Sequence, residues 1–186
     1  MKRRRDSGSA ALLSWAACAG LGLVTSVGCA TQRGEEPEVV ATLDQQRYAG
    51  TWFEIASVPV SAQEGCVGTQ ATYGIAGRGR FSVINVCHDG AGGELRRVEG
   101  TAWMRDPEVP GKLQVQFFWP FRGNYWVLEL DADYEWALVG TPDRKHAWIL
   151  SRSPRLDEEI VARLVTRLRR DDYPVDRLRR TPHPSG

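Results

Sequence analysis

Few side chains in this 186-residue chain are placed to do chemistry. Cys66 and Cys87 could bridge, hold a metal or attack a substrate. Two thiols with no His pair at ligand spacing fall short of a tetrahedral metal set. His88, His146 and His183 stand apart, with no Gly-x-Ser-x-Gly elbow, phosphate loop or His-Glu-x-x-His run. The spacing thus points to no catalytic residue, no metal and no cofactor. Two carboxylates stand out: Glu54 in "YAGTWFEIASVPV" and Glu129 in "NYWVLELD", each inside an apolar run. In an ideal strand Glu54 shares the face of Trp52, and Glu129 shares that of Tyr125 and Val127. Glu129, facing inward there, needs a partner, for which Arg152 and Asn85 are candidates, while Glu54 has no assigned task. A register shift that exposes Glu129 is the alternative.

The elements that must position these residues read as strands. From about residue 51 to 152, eight β-rich runs follow one another, joined by turns such as "AGRG", "DPEVPG" and "PDRK". No helical period intrudes, which argues against βαβ folds. The second and third runs form a hairpin around residue 77, which sets Cys66 opposite Cys87 to within one residue. Gly65 and Gly68 can supply a bulge for the final alignment. In an oxidising compartment the two cysteines form a disulfide. After the strands the period changes. Ile160, Leu164 and Leu168, with Val161 and Val165, make one helical stripe, with Asp157 as N-cap and Pro174 as stop. That amphipathic helix lays its apolar face on the outside of the sheet, and "PVDRL" can add a short ninth strand.

Composition narrows the class. The formal net charge is +1, and the arginines cluster at the two ends, so no basic field recommends nucleic acid. "MKRRRDSGS" followed by an apolar, small-residue run up to Cys29 reads as a secretory signal over 1–28. Residues 29–42 read as a flexible polar tether, 43–180 as the folded domain and 181–186 as a disordered tail.

"SVGC", residues 26–29, resembles the bacterial lipobox. Val27 and Gly28 fit it, and Ser26 stands where Leu is usual. The resemblance implies lipidation of Cys29, and Ala30 after it implies the outer membrane, periplasmic face. Cleavage without lipidation is the alternative. Within the domain, "GTW" (50–52), the Asp133–Tyr134 pair in "LDADYEWALV" and Arg152 in "WILSRSP" resemble, in order, the three signature motifs of the lipocalins. "FFWPFRGNYWVLELD" is most similar to the bacterial outer-membrane lipocalins, relatives of apolipoprotein D and the plant temperature-induced lipocalins. The implied fold is all-β: an eight-stranded up-and-down antiparallel barrel with a C-terminal amphipathic helix packed outside.

The same resemblance implies that Arg152 covers Trp52 at the barrel floor, with Gly50 letting the chain close beneath it. It implies a calyx for fatty acids or lysophospholipids. Alternation and resemblance together place Ala71, Tyr73, Val83, Asn85, Val98, Gly100, Ala102, Leu113, Val115, Phe117, Tyr125, Val127, Leu138, His146, Trp148 and Leu150 in its lumen. The small residues Gly100 and Ala102 leave room for a guest. The six aromatics of residues 117–126 suit a mouth that meets lipid. The resulting expectation is a non-enzymatic, lipid-anchored carrier, with a homodimer left open. A structural lipoprotein with a closed barrel and a lipid-modifying enzyme are the alternatives.

Overall fold

Alternating apolar residues in short runs leave each strand with one face to bury, and the chain solves this by curling a single sheet on itself. The computed structural model describes residues 35–60 and 65–183. The signal expected over 1–28, Cys29 and residues 184–186 lie outside the described residues. The strands are β1 (Gly50–Ser57), β2 (Val67–Ile75), β3 (Arg80–His88), β4 (Glu94–Met104), β5 (Lys112–Gln116), β6 (Gly123–Leu130), β7 (Trp136–Gly140), β8 (Ala147–Ser151) and the two-residue β9 (Arg179–Arg180). Every neighbouring pair from β2 to β8 is antiparallel. β1 pairs with both β8 and β2, which closes an eight-stranded up-and-down barrel.

A one-turn helix, α1 (Gln45–Tyr48), caps one end. Asp44 holds its start by accepting from the Gln46 and Arg47 N–H groups. Gln45 Nε2 donates to the Gly77 and Arg80 carbonyls at the β2–β3 turn, so this is the end where β2–β3 and β6–β7 connect. The other end carries the β1–β2, β3–β4, β5–β6 and β7–β8 connections and, among the described residues, no capping helix.

The second helix, α2 (Glu158–Arg170), is capped by Asp157, whose carboxylate accepts from the Glu159 N–H at 2.7 Å. Its buried Val161, Leu164 and Leu168 pack with Ile55, Trp126, Leu138 and Ile149 on the outside of the barrel. A separate cluster, from Tyr48 and Trp52 to Val139 and Leu150, fills the inside.

The wall departs from ideal alternation at three bulges that matter for function. The first, between Val127 and Glu129, turns Leu128 and Glu129 outward together. Glu129 therefore does not face the floor. Its carboxylate meets Arg163 and Arg167 on α2, and neither Arg152 nor Asn85 is its partner. The pair is partly solvated, so Glu129→Leu should change the unfolding free energy by about 1 kcal/mol or less in urea titrations. A loss of several kcal/mol would place the carboxylate in the core instead. Leu138, expected in the lumen, lies opposite Ile149 and packs against the helix. β7 is buried along its whole length, so no polar residue marks which of its faces points inward.

The second bulge, between Glu54 and Ala56, sends Ile55 and Ala56 outward together. Beyond it β1 parts from β2, and the C-terminal segment fills the gap. β9 pairs with Ala56 and Ser57, the Thr181 N–H donates to the Ile55 carbonyl, and the Gly68 N–H donates to the Pro182 carbonyl. Residues 181–183, expected as loose tail, thus complete the wall. Residues 35–42, expected as tether, also lie on the barrel: the Val40 N–H donates to the Val127 carbonyl, and Val39 joins the outer cluster.

The third bulge lies between Val67 and Gln70, where Gly68 adopts φ +58°. The hairpin centre falls one residue later than expected, with Ile75 facing Phe81, and this bulge draws the far end one residue back, so that Val67 faces His88. Cys66 and Cys87 are bridged, with 5.4 Å between their Cα atoms. Gly100, expected to leave room for a guest, instead admits a close approach of the chain. A Cβ there would stand 2.4 Å from the Gln116 carbonyl oxygen and 2.7 Å from the Phe117 ring.

Candidate functional site

The interior is built from the floor upward. Trp52 is fully buried, and its indole N–H donates to the Tyr48 carbonyl at 2.9 Å. The Arg152 guanidinium lies over its ring, 3.8 Å from the centroid. The same guanidinium donates to the carbonyls of Thr51 at 3.0 Å, Arg47 at 2.6 Å, Ala49 at 3.0 Å and Tyr134 at 3.2 Å. One cation thus ties α1, the start of β1 and the β6–β7 turn into a seal. Burial pulls its pKa down, but an arginine remains charged across the accessible pH range. Gly50 has φ +100°, and a Cβ there would come within 3.2 Å of the guanidinium. Tyr134 adds a second tie by accepting from the Asp44 N–H at 2.8 Å.

Above the floor stand three tyrosines. Tyr48 and Tyr125 share a hydrogen bond of 2.7 Å, and the Tyr73 ring lies 5.5 Å from Tyr48 and 5.9 Å from Tyr125. Burial raises all three hydroxyl pKa values, that of Tyr73 to about 12. Because the folded protein holds these protons more tightly than the unfolded chain, stability is fully present below pH about 10. It falls as pH rises from there through 12. Far-ultraviolet circular dichroism across pH 9–12 should show this loss, and Tyr73→Phe should make it shallower by about a third, one of the three tyrosines being removed. An unaltered profile in the variant would mean that Tyr73 ionises without strain.

Most residues expected in the lumen are on the inside. Tyr73, Val83, Ala102, Leu113, Val127 and Leu150 belong to the inner cluster, and Ala71, Val115, Phe117, Tyr125 and Trp148 pack against it. Asn85 lies opposite Ala71 on one side and Val98 on the other, and Ala71 in turn faces Trp52, which puts all of them on the inward face of the wall. The Asn85 Oδ1 atom is buried with no hydrogen-bond partner among the described residues. His146 stands at the rim, its ring 6.1 Å from Trp148 and its Nδ1 3.4 Å from the Val58 carbonyl. Leu138 alone of the set is on the outer face.

Sequence reasoning missed three inner groups. Phe81 and Tyr48 are fully buried in the inner cluster. Phe81 shares the parity of Val83, so its signal was present. Tyr48 precedes the first strand, and no alternation rule reaches it. The third group surrounds Glu54, which accepts from Ser57 Oγ at 2.8 Å and Thr181 Oγ1 at 2.6 Å. His183 Nε2 lies 2.7 Å from the Glu54 carbonyl oxygen. Glu54, Ser57 and Thr181 border a cleft of about 510 Å³ in the wall, lined also by Thr69 and Arg179. Among the described residues no group of three or more His, Cys, Asp or Glu is placed to hold a metal.

A barrel sealed at one end by Trp under Arg and flanked by one helix is the arrangement that the three sequence motifs imply. Residues 43–183 match the family model described as a lipocalin-like domain. The chain belongs to the lipocalin family. This lipocalin is 38% identical to temperature-induced lipocalin-1 of Arabidopsis thaliana, over 80% of this chain and 83% of that one. It is 36% identical to outer membrane lipoprotein Blc of Escherichia coli, over 75% of this chain and 79% of the relative. Apolipoprotein D of Bos taurus is 36% identical, over 76% and 78%. Among solved structures, insecticyanin of the tobacco hornworm superposes with a TM-score of 0.63 at 26% identity, covering 81% of this lipocalin and 86% of that chain. Lobster apocrustacyanin A1 gives 0.62 at 17% identity, over 81% and 91%, which shows the shared fold. Lipocalins are generally binding and transport proteins, and the fold with its Blc-like relatives supports binding of small hydrophobic ligands.

Proposed function

We propose that this lipocalin is a lipid-anchored envelope protein that binds and carries single-chain amphipaths, fatty acids or lysophospholipids, and performs no catalysis on them. The observation that carries the reading is the inner surface. Its closed half is filled by the rings of Trp52, Tyr48, Tyr73, Phe81 and Tyr125, while toward the other end Val98, Phe117 and Trp148 face inward around Asn85, whose Oδ1 atom is buried. An acyl chain suits the apolar wall. An acceptor buried without a partner is costly, on the order of 1–3 kcal/mol, unless an occupant donates to it. The glycerol hydroxyl of a lysophospholipid is such a donor. The envelope assignment rests on Cys29 and on the likeness to outer membrane lipoproteins.

Full-length protein should take up a fluorescent C16 fatty acid and release it to excess C18 lysophospholipid. Asn85→Val should weaken the lysophospholipid about five- to tenfold and leave the fatty acid unchanged, the worth of one hydrogen bond. Failure to bind any C12–C18 lipid rejects the carrier reading. It would favour a structural lipoprotein instead, for which the ring-filled closed half is the supporting observation. Radiolabelled palmitate should enter the wild type and not Cys29→Ser, and equal labelling of both would reject the anchor.

A further inference from the structure

The largest exposed rings of the described residues stand together on the rim opposite the floor. In the β5–β6 connection Phe118, Trp119 and Phe121 are 67%, 85% and 76% exposed, while their neighbour Phe117 turns into the lumen. Single exposed apolar side chains are ordinary, but three large rings within four positions of one loop form a patch. Arg122 follows immediately, its guanidinium over the Trp103 ring, so a cation sits directly behind the aromatics. Rings at a tip with an arginine behind them match the layering of a bilayer surface, where aromatics settle among head groups and cations meet phosphate.

The path of the N-terminal segment brings an independent observation. Arg144, in the β7–β8 turn, donates from Nη2 to the Glu35 carbonyl and from Nε to the Asp171 carbonyl. In an up-and-down barrel the β7–β8 turn and the β5–β6 connection lie at the same end. The first described residue therefore leaves the domain at that same end. Cys29 precedes Glu35 by six residues. At about 3.3–3.6 Å per residue, a lipid on Cys29 keeps the Glu35 corner of this end within about 20 Å of its membrane.

We propose that this rim docks onto the bilayer, with Phe118, Trp119 and Phe121 inserted among the head groups and the barrel mouth facing lipid. The proposal rests on the lipid-anchored carrier reading above and gives that reading a direction. A single-chain lipid leaving the leaflet reaches the lumen without crossing water. The loop alone is a weak binder. The tether raises its local concentration at the surface, so docking needs only a modest intrinsic affinity.

The test uses the full-length lipoprotein in vesicles of phosphatidylethanolamine and phosphatidylglycerol with brominated acyl chains. The wild type should show a quenched tryptophan component that Trp119→Ser lacks. The variant with Phe118, Trp119 and Phe121 all changed to Ser should take up a fluorescent lysophospholipid from vesicles about tenfold more slowly. Its affinity for the same lipid supplied as free monomer should match the wild type. Equal quenching in wild type and Trp119→Ser overturns the docking, as does an unchanged rate of uptake from vesicles. A dimer in sedimentation that Trp119→Ser dissolves, with no quenching, overturns it in favour of a second copy covering the rings. If the wild type binds no monomeric lipid, the carrier reading fails, and the quenching still decides the docking.

Discussion

Trp52→Ala should lower the unfolding free energy by about 3–5 kcal/mol, the cost of emptying a fully buried large aromatic site. Three features put it at the upper end. The ring is fully buried in the inner cluster, its N–H bond to Tyr48 is lost, and the Arg152 guanidinium loses the surface it lies on. Arg152 should be nearly as sensitive for a different reason. Its guanidinium satisfies carbonyls of Arg47, Ala49, Thr51 and Tyr134, and its removal leaves them unpaired at a crowded chain crossing. Arg152→Lys should not restore stability, because an ammonium neither stacks on the indole nor reaches several divergent carbonyls. Urea unfolding of the variants gives the answer. A loss below about 1 kcal/mol for Trp52→Ala would mean that the floor does not hold the barrel closed.

Removing the Cys66–Cys87 bridge comes second, at about 3 kcal/mol for a loop of this size. The two cysteines are 21 residues apart, and the bridge joins β3 to the segment just before β2, at the open end of the hairpin. The β1–β2 pairing there has already given way to the C-terminal segment, so few other bonds hold that side of the wall. The double variant Cys66→Ala/Cys87→Ala should therefore exchange its amide hydrogens faster in the upper halves of β2 and β3, with the floor around Trp52 unchanged. Uniformly faster exchange would show instead that the bridge supports the barrel as a whole.

The eight strands, their order and the outer helix were legible because each strand run alternates and the helix changes period sharply. The Cys66–Cys87 pairing was legible from hairpin register alone, since a turn fixes which residues face each other. The floor was legible only through family resemblance. Trp52 and Arg152 are a hundred residues apart, and no local pattern joins them. What alternation could not show were the bulges. The one before Glu129 has no glycine to announce it, and it converts an inward carboxylate into a partner for α2. Leu138 was misplaced because β7 is apolar on both faces, one toward the lumen and one toward the helix. Glu54 found its hydroxyl partner in Thr181, 127 positions away, in a segment whose polar composition reads as tail. That segment is ordered by the unpaired edges of β1 and β2, and such an edge exists only once the barrel has formed.

The central claim is that the barrel of this lipocalin holds one single-chain lipid. Native mass spectrometry of full-length protein, purified without detergent and then incubated with C18 lysophospholipid, tests it most directly. The account predicts one added lipid mass per chain that survives gentle desolvation and is displaced by excess C16 fatty acid. A spectrum that stays at the mass of the protein alone under lipid excess would contradict it.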